Sequence, residues 1–242
     1  MDTTGRYAKP LPIVQTATVP RLRTSDQCMQ IELCQEALRL IGIVLDHPCG
    51  KTPANHALAA LLCLHAARMP GRVSSSGGLI PLMDQNRKLW DRKLIAEGLR
   101  LIELSAEGTD LTAWHLEAAI AAIHASATSP EATDWLGVVS LYDSLMTIRP
   151  TPIVALNRAI AIGQCYGPES GIQAVGDIPD APRLSRYPFY SAALGEFNRK
   201  TGNLAAAQLY FEKALQLAGN AMEADHFRQC LAKCYQLGWS CQ

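Results

Sequence analysis

From Asp26 onward, apolar residues recur at spacings of three and four along nearly the whole chain, a period that predicts α-helix almost throughout. Ile31, Cys34, Leu38, Ile41 and Leu45 predict a first helix over 26–46, stopped by His47-Pro48-Cys49-Gly50. Thr52-Pro53 reads as a cap followed by proline at the first helical position. The second helix then runs to about Arg68 and is apolar on nearly every face, so it is expected to be central. Pro70-Gly71 ends it, ahead of the loop Ser74-Ser75-Ser76-Gly77-Gly78. Asp84 is the predicted cap of a third helix over 85–105, with Trp90, Leu94, Ile95, Leu101 and Ile102 as its buried stripe. Asp110 is the predicted cap of a fourth over 111–127, and Ser129-Pro130-Glu131 the start of a fifth. Thr151-Pro152 starts the sixth, and Pro168-Glu169 a shorter seventh ended by Gly176 and Pro179. Three more helices are predicted near 188–201, 204–219 and 221–237, and no segment reads as a strand. The fold class is therefore all-α: antiparallel helical pairs, about ten helices in a TPR-like solenoid or bundle.

The clearest repeat unit begins at Pro188. Leu194-Gly195, Ala207, Phe211 and Ala214 stand at tetratricopeptide offsets, where small residues let paired helices approach and the aromatic fills the groove. A weaker unit starts at Thr151, with a second helix cut short. Residues 1–25, interrupted by Pro10, Pro12 and Pro20, are expected to form an extended arm. Residues 26–150 are expected to form an irregular helical body, and 151–242 TPR-like repeats continuous with it.

Composition narrows the function. The chain has 242 residues, with 22 Lys+Arg against 22 Asp+Glu, so its formal net charge is zero. That excludes a stand-alone nucleic-acid binder, which needs a basic surface to displace counterions from phosphates. With 48% apolar and 18% charged residues, the chain has ample material for a core. No run reaches the ~18 apolar residues of a membrane span, and Arg6 and Lys9 are not followed by the apolar segment of a signal peptide. The eight cysteines include no CxxC pair and read as buried free thiols in a reducing cytoplasm.

Two constellations invite chemistry. Glu117 and His124, seven apart, share one face of the fourth helix and suggest a pH-sensitive contact, half a metal site or, preferably, a hydrogen-bonded buried histidine. His226, Cys230 and Cys234 follow each other at four-residue spacing, a line that converges poorly on one tetrahedral metal. There is no phosphate loop in strand-to-helix context and no GxSxG elbow, so the reading is a non-enzyme without metal or cofactor. The preferred functional surface is a protein-interaction face made of Arg68, Arg72, Asp84, Gln85, Arg87, Trp90 and Asp91. Here Arg87 and Asp91 are spaced to pair along a helix, and Trp90 is either an interface anchor or a core residue. Arg68 and Arg72 are expected to dock either on Asp84 or Asp91 or on a partner.

Several unusual strings occur in a fixed order. They are His65-Ala66-Ala67-Arg68-Met69-Pro70-Gly71-Arg72, Asp84-Gln85-Asn86-Arg87 with Trp90-Asp91, and Leu94-Ile95-Ala96-Glu97-Gly98. Further on stand Leu116 to Ala125, Thr133-Asp134-Trp135, Leu141-Tyr142-Asp143 and Pro150 to Ala159. Over about residues 28–220 the chain resembles the TPR-like C-terminal extension of a group of extracytoplasmic-function sigma factors. Met83 stands where that group usually has an acidic residue, and Asn86 where it has Asp, so this loop is less acidic. Residues 1–27 do not resemble the sigma domains that precede the extension, so the chain is expected to be the extension alone. The resemblance implies a regulatory domain that supports or controls transcription initiation through contacts with sigma core domains or RNA polymerase. From the zero net charge no direct nucleic-acid binding by this chain alone is expected, and from the lack of a long apolar run no membrane contact. The rival readings are a stand-alone TPR-like adaptor and a small-ligand sensor using a cleft between helices three and six.

Overall fold

The computed structural model describes residues 25–72 and 78–239, with side chains described for 32–72 and 78–237. The expected arm lies outside the described residues. Ten α-helices follow one another: α1 Ser25–Asp46, α2 Pro53–Ala67, α3 Arg92–Ser105, α4 Ala113–Ser126, α5 Trp135–Ile148, α6 Pro152–Tyr166, α7 Pro168–Gly176, α8 Pro188–Lys200, α9 Leu204–Leu217 and α10 Ala221–Trp239. Among the described residues there is no β-strand, only a single bridge residue at Leu79. No described helix is long and apolar enough to cross a membrane.

Helix α2 is central because its faces are small or apolar all round. Ala57, Ala59, Ala60, Leu64 and Ala67 are almost wholly buried, and α1, α3 and α4 all pack on it. Its start follows the expected chemistry: Thr52 Oγ1 accepts from the Asn55 N–H at 3.2 Å, with Pro53 in the first turn. Thr151 caps α6 in the same way, accepting from the Val154 N–H.

The second half is a run of helical hairpins. Gly202, at φ +83°, turns α8 into α9. A Cβ on Gly195 would stand 2.9 Å from the Phe211 ring, so glycine is what lets the two helices close on that aromatic. Ala207 and Ala214 are fully buried beside it. One hairpin earlier, Gly163 on α6 and Gly171 on α7 leave room for the Phe197 ring from α8. Met146 packs against the cores on both sides, so the apolar interior continues from α5 into α6–α8.

Three helix starts differ from the sequence expectation. The third helix begins at Arg92, not 85, because Asp91 is its cap: Asp91 Oδ1 accepts from the Lys93 and Leu94 N–H groups at 2.8 and 3.1 Å. Asp84 instead closes a one-turn 3-10 helix, Leu82–Asp84. The fourth helix is entered at Thr112 rather than Asp110, with His115 Nδ1 accepting from the Thr112 N–H at 3.1 Å. The fifth begins at Trp135, capped by Asp134 through the Gly137 N–H, while 129–133 remain turn.

Candidate functional site

Among its described residues the connection between α2 and α3 contains no α-helix, yet Gly71, Gln85, Arg87 and Trp90 within it are buried. Its organising residue is Trp90, only 2% exposed and the last residue before the Asp91 cap. The Asp91 N–H donates to Ala67 O at 2.9 Å, which pins the end of the connection to the end of α2. Two guanidiniums flank the indole: Arg68 at 5.6 Å and Arg87 at 5.2 Å from the ring centroid.

Arg87 is 6% exposed and crosses to the far end of α4. Its Nη1 donates to His124 O at 2.8 Å and Ala127 O at 2.7 Å, and its Nη2 donates to Thr133 Oγ1 at 3.2 Å. A cation there answers the free carbonyls and negative end of the α4 dipole. The expected Arg87–Asp91 surface pair therefore does not exist: Arg87 is committed to α4, and Asp91 to capping α3. Trp90 takes the core alternative. Gln85, also buried, holds the connection from within: its Nε2 donates to Ile80 O at 2.9 Å, and its Oε1 accepts from Arg68 Nε at 3.5 Å.

Of the seven residues proposed as an interface, Arg68, Gln85, Arg87 and Trp90 come together in this seam. Arg72 lines the cleft beside it, while Asp84 and Asp91 are exposed. Arg68 and Arg87 form no ion pair among the described residues, so Arg68 does not dock on Asp84 or Asp91. Burial first, then the charges of Arg72 and Arg87, push Arg68 down to about 9.

His124 is 3% exposed and sits edge-on to Trp135, with ring centroids 5.3 Å apart. It is buried as expected, and its Nδ1 has no hydrogen-bond partner among the described residues. Burial, then the charges of Arg68 and Arg87, hold it down at about 3. Nor does Glu117 pair with it. Arg149 Nη1 donates to Glu117 Oε1 at 2.9 Å, and Arg149 also lies over Trp114. Burial still raises the Glu117 carboxyl to about 7, with Arg149 acting in the opposite direction. The partner of Glu117 comes from beyond the end of α5, and nothing in the local spacing signals it.

On α10, His226 Nε2 lies 3.7 Å from Cys230 Sγ. Cys234 turns into the core with Phe211 and Leu231. Among the described residues, no three His, Cys, Asp or Glu side chains are placed to hold a metal.

Beside the seam lies a cleft of about 230 Å³. One wall is His65, Arg68, Arg72 and the segment 79–85; the facing wall comes from α6 and α8, through residues such as Asn157, Gln164, Phe189 and Glu196. Trp135 and Tyr142 of α5 form part of the lining, and His226 of α10 also reaches it. The cleft thus adjoins α6, as expected of a sensor cleft, but α3 lines none of it. The end of α2 and the segment 79–85 take that place, since α3 starts only at Arg92.

Residues 21–106 match a family described as "Family of unknown function (DUF6596)". That stretch runs through α1, α2, the connection and α3, so it includes Arg68, Arg87 and Trp90. An uncharacterized protein of Rhizobium meliloti (strain 1021) is 37% identical over 200 residues, 83% of this chain and 47% of that protein. The chain thus spans about half the length of the curated relative it matches.

Proposed function

We propose that this chain is a regulatory protein-interaction domain of a sigma factor, acting on transcription initiation through contacts with sigma core domains or RNA polymerase. The observation that carries the interaction reading is α1. One of its faces, with Leu38, Ile41 and Leu45, packs onto the core around α2. Its other side presents Leu33, Leu40, Ile43 and Val44, each between 41% and 57% exposed. A helix apolar on two sides suits two neighbours, and among the described residues only one side is covered. The sigma context rests on the ordered strings of the resemblance, several of which meet at one seam. The length of the relative, about twice the matched stretch, leaves room there for a further domain. The cleft favours a second reading, a small-ligand sensor, which is compatible with the first.

The test is co-purification of the tagged chain with RNA polymerase and, separately, with sigma core domains supplied in trans. The comparison is with the double variant Leu40→Glu/Ile43→Glu. Retention of either partner by the wild type, and its loss in a variant that melts normally, is the expected result. Retention of neither partner by the wild type would overturn the proposal.

A further inference from the structure

The cleft beside Trp90 joins two features, a cationic wall and an apolar interior. One wall carries desolvated positive charge. Among the described residues the Arg68 guanidinium has one hydrogen bond, a long one to the uncharged Gln85 amide, and no carboxylate partner. Arg72 lines the same wall, and Arg87 stands on the other face of Trp90, adding like charge nearby. Burying a cation without a counter-ion is costly, and an anion beside it offsets that cost.

The rest of the cleft is built for an apolar body. Trp135, Val138, Ile160, Phe189 and Phe197 all contribute to it. His65 is held at about 3, chiefly by burial and then by Arg68, Arg72 and His124, so it and His124 are neutral near pH 7, and burial also lowers the third lining imidazole, His226. The carboxylate in the lining, Glu196, is held by Arg199 at 2.6 Å and lies on the wall facing the arginines. At about 230 Å³ the space is below the ~300–1,000 Å³ of drug-sized sites, so it suits a small molecule.

We infer that this cleft binds a small carboxylic acid with an aromatic or branched apolar body, its carboxylate on the Arg68 guanidinium and its body against Trp135, Phe189 and Phe197. The planar guanidinium fork matches a carboxylate in two parallel hydrogen bonds, which a point charge would not. Inorganic phosphate supplies the charge but not the body, and a neutral amide the body but not the charge.

The experiment uses the whole chain, with phenylacetate, benzoate and 4-methylpentanoate as probes. Phenylacetamide and inorganic phosphate are the controls. Binding is read by calorimetry and by the Trp90 indole N–H resonance, assigned through Trp90→Phe. The acids should bind at least tenfold more tightly than either control and shift the Trp90 resonance. Arg68→Gln should weaken the best acid at least tenfold while the protein still melts cooperatively. Phe189→Ala, which leaves Arg68 in place, should weaken the acid but not alter any response to phosphate. No acid binding below 10 mM overturns the proposal. So does equal binding of acid and amide, equal binding of acid and phosphate, or an Arg68→Gln variant that binds like the wild type. None of these readouts involves polymerase, so their failure is distinct from failure of the interaction reading.

Discussion

The α6–α10 tail and the α2–α3 connection each bury their central side chains, but they hold them by different chemistry. In the tail, large rings fit spaces left by small residues: Phe197 against Gly163 and Gly171, Phe211 against Gly195. Such fits are apolar and short-ranged, and successive hairpins repeat them. In the connection, the same job falls to polar groups that meet acceptors far away in sequence. Arg87 reaches carbonyls and a hydroxyl 37 to 46 residues on. A packed ring loses area gradually when its neighbours shift. A buried guanidinium loses all of its solvation and keeps only the hydrogen bonds it finds. The tail should therefore tolerate moderate adjustment, while the connection either has its partners or fails.

Truncating the tail's central ring gives the largest effect. Phe197 is 2% exposed, and Phe197→Ala should cost about 3–5 kcal/mol. Urea unfolding followed by circular dichroism measures this. A cost below about 1 kcal/mol would mean that α7 and α8 collapse into the space, and that the interlock is looser than the glycine contacts indicate.

In the connection, Arg87→Ala should cost about 2–3 kcal/mol, because it strands the buried carbonyls of His124 and Ala127 and removes one face of the Trp90 stack. Arg87→Lys should recover only part of this, since an ammonium keeps the charge but not the planar fork that serves both carbonyls and Thr133. Equal stability of the Lys variant and the wild type would show that charge at the end of α4 matters and the fork does not.

The unequal legibility of the two regions has the same origin. Gly195, Ala207, Phe211 and Ala214 lie within one hairpin, so their spacing in sequence is their spacing in space, and the tail could be read directly. The Thr52 and Thr151 caps were legible for the same reason: each acts within three residues of itself. The connection was not. Arg87 and Asp91 have i,i+4 spacing in a sequence that offers a plausible helix, and that local pattern competes with distant acceptors invisible in a linear reading. The acceptors win, so the helix starts five residues later than that pair implies. Glu117 followed the same course, taken by Arg149 rather than by the histidine on its own helix. Four of the seven interface candidates, Arg68, Gln85, Arg87 and Trp90, meet in one seam. The surface pairing expected of Arg87 was wrong, because burial of a charged side chain depends on partners the sequence does not mark, whereas Trp90 lies in the buried position its stripe predicted.

Asp84 gives the smallest effect and the finest test of how the connection lies against the tail. It is exposed, so Asp84→Ala should change stability at pH 7.5 by no more than about 0.5 kcal/mol. Its trace should appear at a distance. Burial, the largest influence, lowers the pKa of His226 on α10, while the Asp84 carboxylate raises it, Lys233 lowers it and Glu196 raises it. Removing Asp84 should therefore lower His226 further. A histidine whose folded pKa lies below its unfolded value stabilises the protein above the unfolded value and loses that contribution as pH falls. The Asp84→Ala protein should thus match the wild type at pH 7.5 and become slightly less stable than it below about pH 6.5. An NMR titration of the His226 ring checks the downward shift, and paired melts at pH 7.5 and pH 5.5 check the sign. An unchanged His226 titration would mean that the 79–85 segment does not approach α10.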